Sequence, residues 1–109
     1  MNITSEQLGD VVVLHFNGAA DATTVKQIRQ ALGVGCQCTC CRIVCDLSGT
    51  DFICSDALGE FISAHEGARE AGGYVRLVHP QHRIADILAT TQLNRLFEIF
   101  DSIEDAVKG

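Results

Sequence analysis

Short apolar runs and longer segments with helical spacing alternate along the chain. Runs rich in β-branched residues predict strands near residues 11–16, 42–47 and 74–78. Between them, apolar residues recur every three or four positions, which is typical of helices. The order is one or two strands, then α, β, α, β, α, β, α. This order predicts an α/β fold, a central mixed sheet of about four to five strands packed with about four helices in a single domain, residues 1–109.

Helix boundaries follow from capping residues and glycines in the first half of the chain. Residues 1–10 are polar and predict a lead-in or a short edge strand. The first helix is expected after the cap residues Asp21, Thr23 and Thr24, and Gly33 and Gly35 are expected to end it. The strand at residues 42–47 is apolar without a break at its centre, so we expect it to be covered on both faces.

The second half of the chain repeats the pattern. A second helix is predicted from residue 55 to about 71, and Pro80 suits the first turn of a third. A closing strand is predicted at residues 96–100, with Phe97 and Ile99 on one face. The segment from Ser102 to Asp105 resembles a capping box, which predicts a short final helix.

Ser55 follows an apolar run and opens the second helical pattern. Its hydroxyl has the chemistry of an N-cap, and Asp56 suits the positive end of the helix dipole. A serine at the mouth of a helix, directly after a buried strand, is a good place to add or remove a phosphate. A plain helix cap is the alternative interpretation of this residue.

Charge and composition exclude several classes of function. The formal net charge is −6 and the eight basic residues are scattered, so nucleic-acid binding is not expected. No signal segment or membrane-spanning run occurs, which predicts a cytoplasmic protein without direct membrane insertion. No nucleophile, base and acid can be assembled into an enzyme site, and no cofactor is expected. His65 lies on the apolar stripe of the second helix and is expected to pack there.

The cysteines are unusually dense, since five of six fall between positions 36 and 45. Thiolates at Cys36, Cys38, Cys40 and Cys41 could bind a metal, although the spacing is not that of paired Cys-x2-Cys knuckles. Reduced thiols that pack as small hydrophobic groups are the alternative, and Cys45 is expected to point into a strand core. Cys54 stands just before a helix, where a thiolate is favoured, so a redox role is one interpretation and an inward-facing cysteine at the end of a strand is the other.

Three segments, residues 16–22, 46–59 and 96–106, resemble the STAS domain family, which includes bacterial anti-sigma factor antagonists and the cytoplasmic tails of sulfate transporters. In the second segment the family signature is an apolar pair followed by Asp-Ser-Ser-Gly-Leu-Gly. Here it reads Phe52-Ile53-Cys54-Ser55-Asp56-Ala57-Leu58-Gly59. Cys54, Asp56 and Ala57 replace the aspartate, the second serine and the first glycine. The resemblance covers nearly the whole chain and implies a STAS-like fold.

The resemblance also implies a function. In the antagonist branch, an anti-sigma factor that is also a serine kinase phosphorylates the serine that falls on Ser55, and a phosphatase reverses this. The unphosphorylated protein binds the kinase and frees the sigma factor. A non-enzymatic regulatory module of transcription is therefore expected, as a monomer or weak dimer. The implied partner-binding residues are Gly18, Asp21, Cys54, Ser55, Asp56, Leu58 and Gly59.

Two other functions remain open at this stage. STAS-like proteins of lipid transport dock on an ABC transporter ATPase, so an accessory transporter subunit is the first alternative. A cysteine-based metal or redox sensor on the same scaffold is the second.

Overall fold

The computed structural model describes residues 1–36 and 41–108, without the side chains of residues 34–36. Four of the five strands, β2 to β5, are parallel, and β1 pairs antiparallel with β2. The strand order is β1-β2-β3-β4-β5. In chain order the elements are β1 (Asn2–Leu8), β2 (Val11–Asn17), α1 (Val25–Cys36), β3 (Arg42–Gly49), α2 (Ser55–Glu70), β4 (Tyr74–Val78), α3 (His82–Thr90), β5 (Ile99–Phe100) and α4 (Ile103–Lys108). The predicted α/β fold is confirmed.

The main core lies on one face of the sheet, where α1, α2 and α3 pack. Alternate residues of β2, namely Val12, Leu14 and Phe16, point into it, together with residues from all three helices. The opposite face is smaller and is covered by α4, whose Ala106 is fully buried beside Val13 and Val44.

The positions of the β3 side chains explain why the sequence of this central strand is a continuous apolar run. Ile43 and Cys45 face the main core, while Val44 between them faces the α4 side. All three side chains have no exposed surface. The prediction that this strand is covered on both faces is therefore confirmed.

Several predicted boundaries are wrong. Helix α1 continues through Gly33 and Gly35 to Cys36, because glycine weakens a helix by only about 1 kcal/mol and does not force it to end. Helix α3 begins at His82 with Gln81 as N-cap, so Pro80 precedes the first turn.

The closing strand is shorter than predicted. Leu93–Arg95 form a 3₁₀ turn before the strand, and β5 covers only Ile99–Phe100. Phe97 is 2% exposed and Ile99 38% exposed, so these two side chains do not share a face. The predicted capping by Ser102 is confirmed, since Ser102 Oγ accepts a hydrogen bond from the Asp105 N–H at 3.1 Å at the start of α4.

Candidate functional site

Two loops at the carboxyl ends of β2 and β3 are joined by backbone hydrogen bonds. Gly18 N–H donates to Gly49 O at 3.0 Å, and Ala20 N–H donates to Phe52 O at 2.8 Å. Cys54 N–H donates back to Ala20 O at 2.9 Å. These bonds form a short parallel bridge between Ala20 and Ile53. The loop that carries Gly18 and Asp21 is thereby held beside the start of α2, as the resemblance implied.

Gly49 is needed where the two loops meet. A Cβ atom at this position would lie 2.9 Å from Phe16 O and would clash with the side chain of Asn17. Thr50 adds a buried bond to the same place, because its hydroxyl donates to Phe16 O at 3.1 Å. Only a residue without a side chain lets β3 end this close to β2.

The start of α2 differs by one residue from the prediction. Cys54 is the N-cap, with φ −91° and ψ 168°, and Ser55 is the first helical residue. The prediction of Ser55 as N-cap is wrong, because Cys54 already has the extended backbone of a cap and its C=O accepts a hydrogen bond from Leu58 N–H at 3.0 Å. The Cys54 side chain makes no capping hydrogen bond.

Ser55 lies exposed at the N-terminus of α2. Asp56 beside it and Gly59 one turn later are also exposed, so the three residues form one accessible surface. Leu58 is half-buried and packs against the main core, which makes it a support of this surface more than a part of it.

Asp21 stabilises the neighbouring loop. Its carboxylate accepts hydrogen bonds from the Thr23 hydroxyl at 2.6 Å and from the Thr23 N–H at 3.0 Å. The bond from the hydroxyl, above all, holds the pKa of Asp21 below its ordinary value. Thr24 Oγ1 donates to Asp21 O at 3.0 Å just before α1. The loop is therefore fixed by its own side chains.

Phe52 is the residue of this surface that the sequence analysis missed. Its side chain is 43% exposed, whereas the next residue, Ile53, is 6% exposed and belongs to the main core. Strict alternation in an extended segment, with Ile53 inward, would have placed Phe52 outward. An exposed aromatic ring three positions before Ser55 is typical of a protein-binding surface.

A second polar feature occurs at the end of β3. His15 Nδ1 lies 2.7 Å from Asp46 Oδ2, and Ser48 N–H donates to Asp46 Oδ1 at 3.0 Å. Burial disfavours the charged carboxylate, but the hydrogen bonds from Ser48 and His15 outweigh it, so the pKa of Asp46 lies below its ordinary value. This pair lies on the sheet face that α4 covers, away from α2, and we assign it no role in the surface around Ser55.

Among the described residues, no group of three or more histidine, cysteine, aspartate or glutamate side chains is placed to hold a metal ion. Cys38 and Cys40 lie outside the described residues, as does the side chain of Cys36. Cys41 is buried and disulfide-bonded, so the expectation of reduced thiols does not hold for this residue. Cys45 and Cys54 are free. Burial raises the pKa of the Cys45 thiol far above its ordinary value, so Cys45 is a packing residue. Metal binding by Cys36, Cys38 and Cys40 stays a prediction, and Cys41 could join them only after its disulfide is reduced.

The helices within the described part of the chain are too short or too polar to cross a membrane.

Comparison with known proteins supports the same fold along the chain. The STAS domain family matches residues 2–106. A candidate anti-sigma factor antagonist of Thermotoga neapolitana is 31% identical over 67 residues, which are 62% of this chain and 59% of that protein. The matched region thus spans less than two thirds of the length of this curated relative.

Two solved structures share the fold. An anti-sigma factor antagonist from Mycobacterium paratuberculosis superposes with a TM-score of 0.87 at 22% identity, covering 98% of this chain and 91% of the other. The Bacillus cell fate determinant SpoIIAA in its phosphorylated form gives 0.74 at 18% identity, covering 98% and 97%. With a family match over nearly its whole length and this architecture, the chain belongs to the STAS domain family.

Proposed function

We propose that the protein is an anti-sigma factor antagonist that binds an anti-sigma factor with serine kinase activity and is switched off by phosphorylation of Ser55. The observation that carries the proposal is the position of Ser55, exposed at the first residue of α2 and three residues after the exposed Phe52. A kinase can reach this hydroxyl, and the binding of a partner that packs on Phe52 depends on whether Ser55 carries a phosphate.

The helix tolerates a phosphate at this position. The first N–H groups of α2 have no partner within the helix, and the dipole favours negative charge at this end. A phosphoserine at Ser55 would meet these groups. The domain itself therefore keeps its fold when Ser55 is phosphorylated.

The effect of the phosphate is exerted on the partner. The two joined loops, residues 18–24 and 50–56, contain no lysine or arginine that could pair with the new charge. They contain Asp21, Asp51 and Asp56 instead. A phosphate of about −1.5 to −2 charges then has to be desolvated against a packed apolar surface, which weakens binding.

Cys54 and Asp56 change the surface without removing the hydroxyl. The family's aspartate would place a carboxylate where the Cys54 side chain lies. Asp56, two residues later and exposed, supplies a carboxylate on the same turn of α2. We infer that the kinase recognises this chain through Asp56 and the loop carrying Asp21, whose carboxylate is fixed by Thr23.

Phosphorylation is tested with kinase captured from the native cell. Wild-type protein and the Ser55→Ala variant are incubated with the captured kinase and ATP, and intact mass and peptide mapping are recorded. We expect one phosphate on the wild type, mapped to Ser55, and none on the variant. Phosphate on another residue, or equal phosphorylation of both proteins, would contradict the proposed site.

A further inference from the structure

The outer edge of β1 is open. Within the described residues β1 pairs with β2 alone, along all seven of its residues. Six of these seven side chains are exposed and Ile3 is half-buried. In an antiparallel pair, every second residue turns its N–H and C=O away from its partner, so β1 presents a row of these groups to solvent.

A groove runs beside this edge. It has a volume of about 460 Å³ and lies between β1 and α1. Val12 and Leu14 lie at its base, and Gln27, Gln30 and Ala31 of α1 form its far side. Gln27 Nε2 donates to Met1 O at 2.8 Å, which ties α1 to the start of β1. The gap between strand and helix has room for the side chains of one more strand.

The edge lacks the features by which proteins prevent strand addition. Such edges usually carry lysine, proline, a bulge or an inward-pointing charge. β1 has no lysine or proline, its pairing with β2 runs without a shift, and Glu6 is its one charged residue. Glu6 is also the one charged residue among those that line the groove.

This neutral strip suits a second copy of the same chain. Each copy has a net charge of −6, so two copies repel each other except where charge is absent. In an antiparallel pair of β1 strands related by a two-fold axis, residues whose N–H and C=O groups point outward pair with each other. Every second residue of β1 is of this kind, so the numbers of two paired residues add up to an even number. If the numbers of paired residues add up to ten, all seven residues of β1 are paired and the two-fold axis passes beside Ser5.

In this register the side chains are compatible. Ser5 lies opposite Ser5 of the second copy, Glu6 opposite Thr4, and Ile3 opposite Gln7, so no two like charges face each other. Ile3, Ser5 and Gln7 lie on the same sheet face as Phe16, Leu14 and Val12, the face that α1 covers. The same three residues of a second copy therefore project over the groove beside α1. We propose that two copies associate through their β1 edges into a dimer with one continuous ten-stranded sheet.

The test is sedimentation velocity over a concentration series. Ser5→Lys places two lysines opposite each other at the axis, and Ser5→Asp places two aspartates there. We expect each variant alone to dimerise at least about tenfold more weakly than the wild type. An equimolar mixture of the two pairs lysine with aspartate, so it should dimerise at least as tightly as the wild type. Ser63→Lys, the same substitution on the exposed side of α2, should leave dimerisation unchanged.

Two further readouts locate the interface. Hydrogen exchange should slow at alternate amides of β1 as concentration rises. Because the two copies repel, the wild-type dimer should tighten with added salt. A wild type that stays monomeric, a dimer insensitive to both Ser5 variants, or an association that weakens with salt overturns the proposal. Protection of β1 only when another protein is added assigns the edge to that protein and overturns it as well. Ser55 has no part in this test, so its outcome is independent of the proposed switch.

Discussion

The N-terminus of α2 has an N-cap residue without a capping side chain. Cys54 has the backbone conformation of a cap, yet its thiol makes no hydrogen bond to the first turn. Sulfur is a weak acceptor, so the free N–H groups of this turn are left to solvent or to a ligand. With Cys54 in place of the family's aspartate, the start of α2 lacks the hydrogen bond that a capping side chain would add.

Replacing Cys54 by serine should stabilise the fold. A serine oxygen accepts a hydrogen bond from the second or third helical N–H, which cysteine does not do here. Chemical denaturation should give the Cys54→Ser variant a free energy of unfolding about 1 kcal/mol above that of Cys54→Ala, which removes the thiol without adding a cap. Equal stabilities would show that this helix end needs no cap.

Ser55 shows what local pattern leaves undecided. The run Cys54-Ser55-Asp56 contains two good capping residues, and a rule based on residue type selects serine. The structure places the boundary one residue earlier, because Cys54 N–H is bonded to Ala20 O and holds that residue extended. This bond joins residues far apart in the chain, so no local signal reveals it.

At the scale of elements, the junction of the β2 and β3 ends positions the candidate surface. Gly49 permits the close approach, and three backbone hydrogen bonds between the loops follow from it. The resemblance named Gly18, Asp21 and Ser55 for this surface, but not the exposed Phe52. Ile53 pairs with Ala20 and is buried, which leaves Phe52 on the outside.

Two glycine substitutions should have opposite effects on stability. Gly49→Ala forces a Cβ against Phe16 O and Asn17, and should lower the free energy of unfolding by about 1–3 kcal/mol. Gly59 lies within α2 with no atom within 4 Å of an added Cβ, so Gly59→Ala should raise it by about 0.5–1 kcal/mol. Thermal and urea unfolding measure both. A Gly49→Ala variant as stable as the wild type would contradict the close approach of the two strands.

His65 connects α2 to the segment before β5. It is 5% exposed and packs on Phe97, with ring centroids 5.0 Å apart. Burial, above all, lowers the pKa of His65, and Arg69 acts in the same direction, while Glu66, Glu98 and the nearby Val75 backbone oppose it. Neither ring nitrogen has a hydrogen-bond partner of good geometry among the described residues. The ring packs in the interior, as the apolar stripe predicted, and burial favours its neutral form.

The pH dependence of stability should reveal this histidine. Its pKa is lower in the folded state than in the unfolded chain, where it is about 6.5. Stability is fully present above that value and is lost as pH falls, because the unfolded chain binds the proton first. The loss between about pH 7 and 5 should be smaller for His65→Leu than for the wild type. Ser63→Leu, which adds the same side chain at an exposed position of α2 and removes no titratable group, is the control and should keep the wild-type dependence. An unchanged slope in His65→Leu contradicts the account.

At the scale of the whole molecule, periodicity was sufficient for the order of elements and the sheet. The predicted boundaries that are wrong depend on packing. Helix α1 continues through Gly33 and Gly35, and β5 is shorter than predicted because Phe97 is buried in the core and does not join the strand. For residues 1–10 the sequence left a lead-in or a short edge strand open, and the structure shows the edge strand β1. The pairing of β1 with β2 and the groove beside it depend on contacts that a weak polar pattern does not reveal.

The whole surface acts as a switch only if the charge at Ser55, and no charge elsewhere on α2, controls partner binding. Ser55→Asp and Ser63→Asp add the same charge to two exposed serines of the same helix. Both variants should keep the wild-type fold by circular dichroism, which separates an effect on binding from an effect on folding.

The most direct test is the affinity of wild type, Ser55→Asp and Ser63→Asp for the anti-sigma factor kinase captured from the native cell, measured by titration with purified proteins. We predict that Ser55→Asp weakens binding at least about tenfold, a loss of about 1.4 kcal/mol, and that Ser63→Asp binds as the wild type does. Equal affinities of all three proteins, or an equal loss in both variants, would contradict a switch at Ser55.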